Sequence, residues 1–372
     1  MTDSDSGHVI KFCKKCTISS MRPRITFDAD GVCSACRFAE RRETTDWNER
    51  EEELKRLCDF YRKNDGSFDV IVPVSGGKDG GFVAHQLKHK YGMHPLCVTW
   101  APLLPTDIGR QNLDAFVASG FDLIQGRPNG QVARKLARLA FEHMGDIFQP
   151  FILGQTNFPL QIAVKYQIPL IFYGEDAELI YGGEVKKERA TRNVGDHERQ
   201  YFSGRGPDSW TAYGLSAKDL HHFAAPKNLA VDGLALQIHF FSYYVDWVPQ
   251  NNFFYCSEHT GFTPNPERTT GTYSKFASLD DELDFLHYYA AFLKFGIGRA
   301  TSDSAHEIRE GIITREEGVA LVKKFDGEFS DHYWKIALDY MGMTDAEGRA
   351  ILEKWRNPEM FDGNEPRYAV WK

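Results

Sequence analysis

The stretch FDVIVPVSGGKDGG, residues 68–81, decides the fold. Its first half is a short apolar run rich in β-branched residues, the pattern of a strand buried on both faces. Two glycines follow, then Lys78 and Asp79, then a helix-forming run that Gly92 ends. A strand that turns through glycines into a helix leaves backbone N–H groups free at the helix N-terminus, where the dipole also favours an anion. Val74 leads into this turn and Ser75 adds a hydroxyl. Gly76 and Gly77 let the main chain close on phosphate. Lys78 brings positive charge, and Asp79 either orients magnesium or caps the helix. The spacing is neither G-x-x-x-x-G-K-[ST] nor G-x-G-x-x-G. An ordinary strand–helix turn is the plain alternative.

Outward from the loop, strands and helices alternate. HPLCVTW (94–100), FDLIQG (121–126) and IPLIFYGED (168–176) read as strands. Residues 106–120, 129–145 and 157–167 read as helices between them. This alternation predicts an α/β fold with a doubly wound parallel sheet. Ligands in such sheets bind beyond the carboxyl ends of the strands. Glu175 and Asp176 fall on that edge, where they would hold magnesium, bind substrate hydroxyls or relay a proton; an acidic pair opening a helix is the alternative. Trp100 lies against an adenine ring or in the core. Gly154, in GQTNFP, is a second candidate to face the nucleotide. Glu184 is a substrate candidate or a surface charge. Arg299 pairs with a substrate phosphate or forms a helix-terminal salt bridge.

Four of the seven cysteines lie near the start: Cys13 and Cys16, then Cys33 and Cys36. Two C-x2-C pairs at this separation have the spacing of a closed, structural zinc site; an iron–sulfur cluster takes the same ligands. The start carries no hydrophobic signal core, and no run is long enough to span a bilayer. The expectation is therefore a cytoplasmic chain with no membrane insertion. A net charge of −8 argues against nucleic acid as a partner.

Three regions are expected: a four-cysteine zinc-ribbon-like unit over 1–45, the nucleotide-binding α/β domain over 46–185, and a substrate loop with a mostly helical C-terminal region over 186–372. The arginines and lysines of 186–205 form a solvated loop or close over substrate. Helices are expected at 280–295, 314–325 and 331–355.

VSGGKDG resembles the S-G-G-x-D-S signature of the PP-loop ATP pyrophosphatases, relatives of GMP synthetase, asparagine synthetase and the tRNA-thiolating enzymes. Gly80 stands where that signature ends in serine, which puts one phosphate contact in doubt. With the four-cysteine unit, VIVPVSGGKDG, HPLCVTWAP, IPLIFYGEDAELIYGGE and the long segment from YSKFASLDDELDFLHYY to VKKFDGEF (273–329), most of the chain resembles the N-acetyl sugar amidotransferases of surface-polysaccharide and flagellin-sugar pathways. That resemblance implies ATP and Mg2+ as cofactors beside structural Zn2+. It also implies a nucleotide-linked N-acetyl sugar as substrate, adenylation of its acetamido oxygen, and attack by ammonia.

Thr2 occupies the position at which a glutaminase of the N-terminal-cysteine class has its nucleophile, and no other cysteine stands in a nucleophile-elbow context. Ammonia is therefore expected from a separate glutaminase subunit, resembling the histidine-pathway glutaminase and cyclase pair. Two rival readings are a tRNA-thiolating enzyme, with Cys97 or Cys256 relaying sulfur, and a zinc-ribbon scaffold whose nucleotide site has decayed.

Overall fold

The structure is a computed structural model that describes residues 10–183, 188–192, 202–226, 234–363 and 365–366. Its helices are α1 (Ser34–Arg42), α2 (Trp47–Tyr61), α3 (Lys78–His89), α4 (Asp107–Ala118), α5 (Gly130–Met144), α6 (Gln149–Tyr166), α7 (Ala177–Ile180), α8 (Ala217–Leu220), α9 (Pro249–His259), α10 (Asp284–Phe295), α11 (Arg299–Arg309), α12 (Arg315–Phe325), α13 (Asp331–Met341) and α14 (Asp345–Trp355). The strands are β1 (Val70–Pro73), β2 (Pro95–Trp100), β3 (Asp122–Gly126), β4 (Leu170–Tyr173), β5 (Thr191–Arg192) and β6 (Gln237–Phe240), with a short β7 (Phe361–Asp362) and β8 (Glu365–Pro366) pair near the C-terminus.

The main sheet has the order β3-β2-β1-β4-β6-β5. All neighbours are parallel except β5, which runs antiparallel to β6. The order reverses between β1 and β4, so their carboxyl ends flank the crevice where such sheets bind ligands. Val74–Gly77 leaves β1 there and Gly174–Asp176 leaves β4.

Alternation along the strands explains why helices cover both faces. Ile71, Leu96, Val98, Trp100, Ile171 and Ile238 point to one side and pack against α5 and α6. Val70, Val72, Cys97, Leu170 and Phe172 point to the other, against α2, α3 and α4. A third core joins the C-terminal helices to α5 through Leu286, Trp334, Leu338, Ala137 and Phe141. The doubly wound parallel sheet expected from the alternation is the observed one.

Helix ends follow their capping residues. Thr106 accepts the N–H of Gly109 at 3.0 Å to open α4, and Asn129 accepts that of Gln131 at 2.9 Å to open α5. The single helix expected over 331–355 is two. Gly342 adopts a left-handed conformation that ends α13, and Thr344 with Glu347 forms the capping box that starts α14. Strand β6 lies inside an aromatic-rich stretch that masks its pattern. α6 begins eight residues earlier than expected and takes GQTNFP into its interior.

Candidate nucleotide site and cysteine cluster

The loop after β1 is shaped by close approach. Gly76 has φ +84°, and a Cβ there would stand 2.6 Å from the backbone nitrogen of Leu113 in α4. Only glycine meets both conditions. Gly77 is the N-cap of α3 and supplies no side chain to satisfy the first-turn N–H groups, so these donors stay available to an anion. Gly80 is pinned as well: a Cβ would lie 2.8 Å from the carbonyl oxygen of Pro73 and 2.9 Å from Val74 Cα. A serine side chain at 80 would press on the end of β1, because α3 sits so tightly there.

Lys78 is ion-paired with Asp79, and Asp79 Oδ1 accepts from Asn252 Nδ2 of α9 at 3.1 Å. Across the crevice, Glu175 accepts from Tyr181 Oη at 2.8 Å and from Trp247 Nε1 at 3.0 Å. Burial, and then the negative charge of Asp79, hold the Glu175 carboxyl above the usual range. Two carboxylates that repel one another beside the glycine-rich loop are oxygen donors of the kind that suits a hard divalent cation.

Arg299 completes the arrangement. It is the first residue of α11, its Nε lies 3.1 Å from Asp303, and it donates to Tyr288 Oη. Three adjoining cavities meet at it. One, of about 150 Å3, is lined by Ser75–Asp79, Asn112 and Asp280. A second, of about 60 Å3, runs past Lys78, Tyr181 and Glu307. A third, of about 440 Å3, reaches Arg22, Glu175, Tyr181 and His287. Asp280 hydrogen-bonds with Ser75; burial, and then the charge of Asp284, push it up to about 6. Its neighbour Asp281 takes the N–H of Leu103 at 2.5 Å and holds this segment over the end of β2.

Other expected site residues stand elsewhere. Asp176 is 2% exposed, ion-paired with Arg192, and caps α7 by accepting the N–H of Glu178 at 3.0 Å. It is held inside the fold, and of the expected acidic pair only Glu175 lines the cavities at the crevice. Trp100 and Gly154 form a packing pair. The indole is 4% exposed, and a Cβ at 154 would lie 1.9 Å from its Cε2. Gly154 is what lets α6 lie against β2, and neither residue faces the nucleotide crevice. Glu184 lies outside the described residues, as does most of the charged stretch 186–205. Asp280, Asn252, Trp247, Tyr181 and Tyr288 had no assigned role. The signal for Asp280 is the acidic run SLDDELD, residues 278–284.

The cysteine expectation meets a definite geometry. The sulfurs of Cys13, Cys16, Cys33 and Cys36 all lie within 4.8 Å of one another, and the Cys13–Cys36 and Cys16–Cys33 pairs are 3.8 Å apart. A tetrahedron of thiolates about 2.3 Å from one ion has edges of about 3.8 Å, so the set fits a single tetrahedral metal. Backbone N–H groups of Lys15 and Cys33 point at Cys13 Sγ at 3.4 Å, and Arg309 of α11 approaches Cys16 Sγ at 3.8 Å. These donors offset the charge of four thiolates. The cluster shares its apolar surround with Ile297 and Ala305, which ties it to the helix that carries Arg299.

Residues 270–372 match the family model of the C-terminal domain of WbpG-like lipopolysaccharide biosynthesis proteins. No curated protein matches the chain. Among solved structures, NMN synthetase from Francisella tularensis shares 12% identity over 57% of this chain and 87% of its own, with a TM-score of 0.29. The U34-tRNA thiolase NcsA from Methanococcus maripaludis, solved with its [4Fe-4S] cluster, shares 12% over 75% and 82%, with a TM-score of 0.30. The segment similar to the lipopolysaccharide proteins is the one that contributes Asp280, Tyr288 and Arg299 to the loop cavities. None of the described helices is long and apolar enough to cross a membrane.

Proposed function

We propose that this chain is an ATP-using amidotransferase of the PP-loop kind, acting in surface-polysaccharide assembly. In this reading it adenylates the acetamido oxygen of a nucleotide-linked N-acetyl sugar, and ammonia then displaces AMP to leave an acetamidino group. The observation that carries the reading is the position of Arg299. It belongs to the segment similar to lipopolysaccharide-biosynthesis proteins, yet it lines the cavity of the glycine-rich loop.

An amide carbonyl is a poor electrophile and its oxygen a poor leaving group. Transfer of AMP to that oxygen, with pyrophosphate released, gives a carbon that neutral ammonia can attack. The free N–H groups at the start of α3, Lys78 and Arg299 are the positive groups available to the departing pyrophosphate. Asp79 and Glu175 are the oxygen donors that would hold magnesium, which when bound offsets phosphate charge. Zinc in the four-cysteine site would be structural, since four thiolates leave no open position. Ammonia would come from a separate glutaminase subunit. Sulfur delivery is less well supported: Cys97 and Cys256 are fully buried, and burial pushes both thiols up, Cys256 to about 12.

The test is mass spectrometry of nucleotide-linked N-acetyl sugars incubated with the protein, ATP, magnesium and heavy-nitrogen ammonium. Heavy nitrogen in the sugar, matched by AMP, is the expected result. AMP formed without label would move the reading to another nucleophile, and no AMP over a broad panel would sink it.

A further inference from the structure

The 440 Å3 cavity has a wall that the adenylation chemistry does not use. His287 of α10 lines it, as Glu175 and Tyr181 do. Its Nδ1 lies 2.8 Å from Asp146 Oδ1, in the turn between α5 and α6, and Asp146 is itself fixed by the N–H of Phe148 at 2.9 Å. A carboxylate there holds the proton on Nδ1 and leaves Nε2 as the bare nitrogen. Nε2 has no hydrogen-bond partner among the described residues. The imidazole side chain is 27% exposed, and the rings of Phe148 and Tyr288 stand about it at 5.1 and 5.0 Å between centroids.

We infer that His287, oriented by Asp146, is the proton acceptor of the amination half-reaction. The assignment rests on the amidotransferase reading and adds a residue to it. The nitrogen lone pair of ammonia forms a C–N bond to the adenylated carbon while the π pair of its C=N bond moves onto the sugar nitrogen, and the incoming nitrogen of the adduct is positive. Nε2 of His287 takes one proton from that nitrogen. The C–O bond to AMP then breaks, its electron pair leaves with AMP, and the amidine remains. The histidine sheds its proton to solvent before the next turnover. No oxidant or further reactant is needed.

Two features favour this role over a buried pair that merely ties α10 to the α5–α6 turn. The pair opens onto the same cavity as Glu175 and Arg299. Burial opposes protonation of His287, but the charge and hydrogen bond of Asp146 outweigh it, so the ring holds a proton more readily than free histidine does.

The experiment separates the two half-reactions in the full-length protein, with ammonium as the nitrogen source. Sugar-dependent exchange of labelled pyrophosphate into ATP reads adenylation. Heavy-nitrogen amidine reads the second half. His287→Gln removes the base and leaves a polar amide in its place. It is expected to retain exchange within about threefold of wild type while amidine formation falls roughly 10²–10⁴-fold. Asp146→Asn should show the same split, less steeply. Amidine formation by His287→Gln within threefold of wild type overturns the assignment, and so does an equal fall in both activities, the mark of a structural role. Absence of exchange in the wild type with every acetamido sugar sinks the amidotransferase reading itself and the assignment with it.

Discussion

Asp326 accepts the backbone N–H of Gly298 at 3.1 Å, and through that bond it sets where Arg299 stands. The same carboxylate takes the N–H of Thr301 at 3.2 Å and the Thr301 hydroxyl. It thus serves as the cap that Gly298, lacking a side chain, cannot supply to α11. A Cβ at 298 would meet Asp326 Oδ1 at 2.5 Å, so the glycine and the carboxylate are required together. The capping carboxylate lies 28 residues downstream of Gly298.

Asp326→Ala should therefore cost about 1–2 kcal/mol of stability in urea unfolding, the usual price of a lost N-cap. Asp326→Asn should recover only part of it, because one amide oxygen still accepts while its NH2 faces a backbone N–H that the second carboxylate oxygen satisfied. Loss of the cap should also lower kcat/KM by loosening Arg299. If Asp326→Ala were as stable as wild type, α11 would not depend on this carboxylate.

Arg299→Gln should lower kcat/KM about a hundredfold, near 2.7 kcal/mol of transition-state stabilisation. Arg299→Lys should recover little, because the planar fork that holds Asp303 and would also pair with a phosphate is lost. Steady-state kinetics with the nucleotide sugar identified by mass spectrometry would check both. Full activity in Arg299→Lys would show that charge alone suffices.

The glycines make a sharper test. Gly80→Ser restores the PP-loop signature but puts a Cβ 2.8 Å from the Pro73 carbonyl. It should lower stability by roughly 1–3 kcal/mol, as overpacking does, and bring no gain in ATP affinity by calorimetry. Gly154→Ala should be at least as damaging, with Trp100 in its way and no route for the indole to retreat. Tighter ATP binding by Gly80→Ser would mean the serine was lost for reasons other than packing.

These residues also mark how far the sequence could be read. The loop, the sheet and the cysteine cluster were legible because each rests on local spacing: alternation of apolar runs, two glycines at a strand–helix turn, paired C-x2-C. Arg299 could be named as a phosphate partner, but its nearness to Ser75 could not, since that depends on α11 packing beside residues more than 200 positions earlier. Trp100 and Gly154 could not be decided for a related reason. A tryptophan ending a strand and a glycine before an amide look alike whether they face ligand or each other, and only the register of α6 on β2 decides. Asp176 and Glu175 are adjacent in sequence, yet one points to Arg192 within the fold and the other into the crevice. Asp326, Asp146 and His287 form no motif at all, because their partners come from other elements.

The cysteine site should hold one metal ion per chain by elemental analysis. Cys13→Ser or Cys36→Ser should abolish that stoichiometry and lower the melting temperature, since binding energy at a closed tetrathiolate site is folding energy. Strong chelation should do the same reversibly. Because the cluster shares a core with Ile297 and Ala305, removal of the metal should also raise KM by loosening α11. Two or more iron atoms per chain would replace the single-ion geometry with a cluster.

His239 gives a pH prediction with a definite sign. It lies in β6, 4% exposed, with Nδ1 2.7 Å from Tyr244 Oη and Nε2 3.1 Å from Gln237 Oε1. Burial lowers its pKa to about 4. The unfolded chain therefore binds a proton near pH 6.5 that the folded chain refuses until about pH 4. Stability from this residue is fully present above 6.5 and is lost as pH falls through the interval, by about 1.4 kcal/mol per unit and about 3 kcal/mol in all. Carboxylates titrate in the same range, so the informative quantity is the difference between wild type and His239→Asn in urea unfolding at pH 7.5, 6, 5 and 4.5. The wild-type curve should fall more steeply than the variant's below pH 6.5, and the two should run parallel above it. Parallel curves throughout would mean that His239 charges as easily inside β6 as in water.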